Sequence, residues 1–138
     1  MTTRQTALVV GAAGGIGGEL ARQLRDAGWE VRGLVRSLER PDDVAKAAEG
    51  CAVIVHAVNP PGYKRWAELV LPMLDSTIAA AKREGATVVL PGTVYNYGPD
   101  AFPILREDSP QRPLTRKGAI RVEMEARLAL MRPVAAGR

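Results

Sequence analysis

The stretch Thr6-Ala7-Leu8-Val9-Val10 runs straight into Gly11-Ala12-Ala13-Gly14-Gly15-Ile16-Gly17, and that junction constrains the fold more than anything else in the sequence. An unbroken apolar run of strand length reads as a strand buried on both faces. The glycines after it keep a Gly-x-x-Gly-x-x-Gly spacing. Apolar positions then recur at Ile16, Leu20, Leu24 and Ala27, one stripe of a helix. Gly28 stands where that helix would close on a left-handed residue. Strand, bare turn and helix in immediate succession are the opening of a βαβ unit whose turn can receive an anion.

The pattern continues in the same grammar. Residues 30–35 read as a second strand, and Pro41-Asp42-Asp43 opens a short helix, with proline and acids in the first turn where both are favoured. Residues 52–58 read as a third strand. Residues 66–84 carry the strongest helical stripe, with Pro72 inside it and Gly85 closing it. Residues 87–90 read as a fourth strand, 91–113 as a proline- and glycine-rich loop, and 118–131 as a last helix with Ile120, Met124, Leu128 and Met131 on one side. Strands alternating with helices predict an α/β fold, a Rossmann-like doubly wound parallel sheet of about four strands. Ligands then belong at the carboxyl ends of the strands.

Composition narrows the function classes. A length of 138 residues suits one domain. The 46% hydrophobic and 25% charged content is that of a soluble globular protein, and 4% aromatics leave the core to Ala, Val, Leu and Ile. The net charge of +4 is scattered along the chain, which argues against a nucleic-acid partner. Cys51 is the single cysteine and His56 the one histidine, so neither an internal disulfide nor a metal site is expected. The apolar runs are strand-sized, too short for a membrane span or a signal core, and the expected location is cytoplasmic.

In the glycine turn, Gly11 lets the chain leave the strand, Gly14 bares the backbone where a diphosphate would approach, and Gly17 lets helix and strand pack closely. With Gly15 and Ile16 these form the candidate cofactor cradle; the alternative is a glycine turn that holds nothing. The spacing resembles the extended and atypical branches of the short-chain dehydrogenase/reductase superfamily, the NAD(P)-dependent epimerase/dehydratase family, from Ala7 to about Leu130. The resemblance implies one NAD(P)-binding domain over residues 1–132, with 133–138 as a flexible tail. The second strand ends in Arg36, where a guanidinium would hold the 2′-phosphate of NADP, so NADP is favoured over NAD; the alternative is a solvated arginine.

The resemblance also implies a reaction centre. The third strand end brings His56 and Asn59 beside the nicotinamide ribose; a buried histidine bonded to backbone is the competing reading. The segment Thr93-Val94-Tyr95-Asn96-Tyr97-Gly98 is similar to the family's Tyr-Gly segment, and Thr93 takes the place of the hydroxyl that contacts the substrate oxygen, with a strand-end cap as the alternative. Tyr95 and Tyr97 read as packing or pocket wall. The family's Tyr-x-x-x-Lys motif is altered. Lys117, followed by Gly118, falls at the tyrosine and Arg121 at the lysine, and Glu125 matches a later family glutamate. A like-charged neighbour disfavours protonation, which suits a lysine to acid–base work. An anion contact and a solvated helix face are the other two readings.

Two elements of the family are missing from the pattern: a strand between residues 35 and 41, and the strands and substrate region that follow the last helix. The expectations are therefore three. The first is an oxidoreductase, or sugar-nucleotide epimerase/dehydratase chemistry, passing hydride between the cofactor and a small carbonyl or alcohol substrate. The second is a dinucleotide sensor without turnover. The third is a shortened, inactive family member. The family's dimer contacts imply a homodimer through the helices at 66–84 and 118–131.

Overall fold

Strand β1 (Thr6–Val10) is the centre of the sheet, and its apolar run is explained by burial on both sides: Ala7, Leu8, Val9 and Val10 are all fully buried. Around it stand β2 (Glu30–Leu34), β3 (Val53–His56) and β4 (Thr87–Val89), all parallel, in the order β2-β1-β3-β4. Helices α1 (Gly15–Asp26), α2 (Pro41–Ala47) and α3 (Trp66–Glu84) make the crossovers. The structure, a computed structural model, describes residues 5–34, 41–58 and 65–131. Its backbone divides into two compact units, Met1–Pro91 and Gly92–Arg138.

In the first unit the register pairs Val9 with both Gly33 and Val55. Side chains alternate across a strand, so Val9 and Val55 share one face. There they pack with Ala21, Leu20 and Leu24 of α1. The opposite parity, Leu8, Val10, Ile54 and His56, faces α3, where His56 meets Thr77. Both faces are covered, which is the doubly wound arrangement. The connection from β2 steps over β1 to reach β3. The chain therefore reverses its course across the sheet between β1 and β3, and a crevice opens at their carboxyl ends.

Helix ends follow local chemistry. Gly28 (φ +94°) and Gly85 (φ +67°) take the left-handed conformation that closes α1 and α3. Arg32 of β2 donates to the Ala47 carbonyl at 3.1 Å, satisfying an end group of α2. The third and fourth strands are shorter than the 52–58 and 87–90 read from the sequence. Beyond β3 the ladder continues at Ala52, which donates to the Thr6 carbonyl at 2.9 Å and accepts from the Thr87 N–H at 3.0 Å, and at Ala57, which donates to the Val10 carbonyl at 2.9 Å.

In the second unit, two 3-10 turns, Val94–Asn96 and Pro99–Ala101, occupy the stretch read as loop. Helix α4 (Arg116–Leu130) begins two residues before the expected 118, because the Thr115 side chain caps it by accepting from the Gly118 N–H at 3.0 Å. Of the stripe Ile120, Met124, Leu128 and Met131, Met124 is buried and the other three are half-buried, and Gly118 and Arg121 are buried beside them. Apolar periodicity does not mark the buried Arg121, so the inward face is wider than the stripe alone shows.

Candidate functional site

The turn between β1 and α1 sits at the sheet's reversal point. Gly11 (φ +91°) bonds through its N–H to the Leu34 carbonyl at 2.9 Å, and a Cβ on it would lie 2.4 Å from the Ala57 carbonyl oxygen of the neighbouring strand end. A Cβ on Gly17 would lie 2.2 Å from the Gly11 oxygen. These two glycines are demanded by the protein's own packing. Gly14 and Gly15 are not: a Cβ on Gly14 would make only an ordinary 3.4 Å contact, and one on Gly15 would meet nothing within 4 Å. Gly14 is the N-cap of α1, and the first helical bond runs from the Gly18 N–H to its carbonyl at 2.8 Å. The N–H groups of Gly15, Ile16 and Gly17 therefore lie ahead of any intrahelical acceptor. No acid occupies the first turn and no side chain caps it. Gly14, Gly15 and Ile16 are exposed, Ile16 by 65%, although an isoleucine is ordinarily buried. The result is a positive, side-chain-free cradle with an apolar rim, which fits a dinucleotide's diphosphate.

Of the other cofactor candidates, Arg36 and Asn59 lie outside the described residues. His56 is 2% exposed, and its Nδ1 lies 2.8 Å from the Thr77 hydroxyl of α3. It is a core histidine in the β3–α3 seam, with a side-chain hydroxyl among its partners. Cys51 is buried, and that burial pushes its thiol up despite the opposing influence of Arg32 and so disfavours the thiolate. Among the described residues no cluster of His, Cys, Asp and Glu could hold a metal ion, and no helix is long and apolar enough to cross a membrane.

The second unit brings together the remaining candidates and two residues that sequence reasoning had not assigned. Thr93 is half-buried, and its hydroxyl donates to Asn96 Oδ1 at 3.3 Å. Asn96 is fully buried and donates through Nδ2 to Glu125 of α4. Lys117 and Arg121 lie one turn apart on α4 but do not share a surface. Lys117 is exposed, whereas Arg121 is 5% exposed, with Nη1 3.8 Å from Met124 Sδ. A solvated face bearing both charges is thus corrected. Burial pushes the Arg121 guanidinium below its usual range, opposed by the charge of Glu125. The signal for Asn96 was an amide between two tyrosines, which propensity alone reads as turn.

The model of the NAD dependent epimerase/dehydratase family matches residues 7–119. The chain belongs to that family. The match takes in the whole glycine cradle, Thr93 and Lys117, while Arg121 and Glu125 lie beyond it. No curated protein matches this family member. Solved structures share its fold. A short-chain dehydrogenase/reductase superfamily protein from Agrobacterium tumefaciens, with bound NAD, is 24% identical with a TM-score of 0.74, over 88% of this chain and 43% of that one. UDP-glucose 4-epimerase from Thermotoga maritima, with UDP-glucose, is 14% identical with a TM-score of 0.80, over 92% and 51%. The UDP-Glc/GlcNAc 4-epimerase from Campylobacter jejuni is 18% identical with a TM-score of 0.81, over 92% and 49%. This epimerase/dehydratase-family chain spans about half the length of those structures.

Proposed function

We propose that this chain binds a nicotinamide dinucleotide through the β1–α1 turn and serves NAD-dependent epimerase-type chemistry on a small alcohol, carbonyl or sugar-nucleotide substrate. The observation that carries the reading is the pair Gly14 and Gly15, bare where the protein's own packing leaves room for a side chain. Glycine at such positions has its reason in something that approaches from outside. The NAD held by the Agrobacterium protein and the UDP-glucose held by the Thermotoga epimerase support the ligand classes.

When bound, the cofactor supplies hydride transfer. The residues of this chain supply the rest. Gly15, Ile16 and Gly17 hold the diphosphate with backbone N–H groups, Gly14 leaves room for its approach while its own N–H is bonded to the Gly11 carbonyl, and Arg36 takes a 2′-phosphate, favouring NADP. Thr93 contacts the reacting substrate oxygen. Lys117, exposed in the first turn of α4, moves the proton, and Arg121 is a fixed positive charge one turn on. A second reading, dinucleotide binding without turnover, is favoured by lysine and arginine standing where the family's tyrosine and lysine belong.

The test is a fluorescence titration with NADH and NADPH. Wild type is expected to bind both, NADPH about tenfold more tightly, the size of one good charge-assisted contact. Arg36→Glu is expected to reverse that order. Unchanged preference in Arg36→Glu removes the NADP assignment. Carbonyl turnover that disappears in Lys117→Ala decides for catalysis, and its absence in wild type decides for the sensor.

A further inference from the structure

The Thr93–Asn96–Glu125 chain has a direction. An ionised carboxylate has no proton to give, so only the amide nitrogen of Asn96 can face Glu125. The amide oxygen is thereby turned to Thr93, which must donate, as the 3.3 Å contact from Oγ1 to Oδ1 shows. Asn96 is fully buried, so its amide is held in place without solvent to compete. Arg121 stands one turn before Glu125 on α4, placing a cation near the carboxylate end of the chain. A hydroxyl carries one proton and two lone pairs. With its proton committed to Asn96, its one hydrogen-bond partner among the described residues, Thr93 has only lone pairs left to offer.

We propose that Asn96 and Glu125 are positioning residues that make Thr93 a hydrogen-bond acceptor, so that the ligand group seated there is a hydroxyl and not a ketone oxygen. The inference rests on Thr93 as the substrate contact in the proposed function. It adds which half of an alcohol–carbonyl pair this chain is built to hold. A ketone oxygen would meet lone pairs, while an alcohol would supply the missing proton. The alcohol form is the one from which hydride leaves, so the arrangement favours entry of the reduced substrate.

The test uses the full chain, isotope-labelled and saturated with NADH. In Thr93→Val the side-chain carbonyl carbon of Asn96 is expected to move upfield while its amide protons stay in place. In Glu125→Gln the amide protons are expected to move. UDP-glucose and UDP-4-keto-6-deoxyglucose are then titrated as probes of the two forms. Wild type is expected to favour UDP-glucose about tenfold, as one hydrogen bond allows. Thr93→Val should bring the ratio to about one, Thr93→Ser should restore it, and Glu125→Gln should lower it without changing NADH affinity. Amide protons that shift in Thr93→Val with the carbonyl carbon unmoved overturn the proposal, as do equal affinities, a preference for the ketone, or binding of neither probe. Wild type that fails to bind NADH overturns the underlying cofactor reading instead, so the two failures are told apart.

Discussion

Gly17→Ala is expected to destabilise the first unit by about 3 kcal/mol, the upper range for overpacking a site that cannot yield. The new methyl would stand 2.2 Å from the Gly11 oxygen and 2.9 Å from its carbonyl carbon. Both are backbone atoms. Gly11 cannot retreat, because its N–H is bonded to Leu34 and its own Cα lies against the Ala57 carbonyl. Against the total of about 5–15 kcal/mol typical of a domain, that is a large share. Gly15→Ala, two residues away, is expected to do the reverse. Nothing lies within 4 Å of its Cβ, and alanine gains about 1 kcal/mol over glycine in a helix. Urea unfolding of the two variants checks the pair. Similar midpoints would show that the turn is not packed as described.

Gly118→Ala carries the second large effect, with the sign opposite to helix propensity. Within α4 the change alone would stabilise by about 1 kcal/mol. Here the methyl would lie 2.2 Å from the Tyr95 carbonyl oxygen and 2.7 Å from Pro113 Cβ. The same glycine's N–H feeds the Thr115 cap. A net loss of about 2 kcal/mol is expected, read as faster amide exchange across α4 and the Val94–Asn96 turn. Unchanged exchange would mean that the turn and the helix are not in register through this glycine.

These substitutions also mark where the sequence was legible. β1 and α3 have the bounds that their patterns predict, because a continuous apolar run and a long amphipathic stripe leave one burial each. The glycine turn was legible for a different reason: its glycines follow directly on the strand and open the helix, a local pattern of chain direction that needs no long-range contact to be read. The second unit was not. Its order comes from close backbone approach, such as Gly98, whose Cβ would fall 2.1 Å from the Arg112 oxygen, and no periodicity encodes that. Arg121 reads as surface in any composition argument, yet α4 buries it beside Glu125. The bond from Asn96 to Glu125 joins residues 29 apart in sequence, and its direction follows from which partner lacks a proton.

The central claim is that the bare start of α1 receives a dinucleotide's diphosphate, and NADH titration of wild type beside Gly14→Val tests it most directly. Gly14 has φ −78° and ψ 169°, open to any residue, and its Cβ would make only an ordinary contact, so the variant should fold with a melting temperature close to wild type. Saturable binding to wild type, weakened at least about tenfold in Gly14→Val, is the predicted result, equivalent to a loss of about 1.4 kcal/mol or more. Equal affinity in the two proteins, or a folded wild type that takes up no dinucleotide, would contradict it.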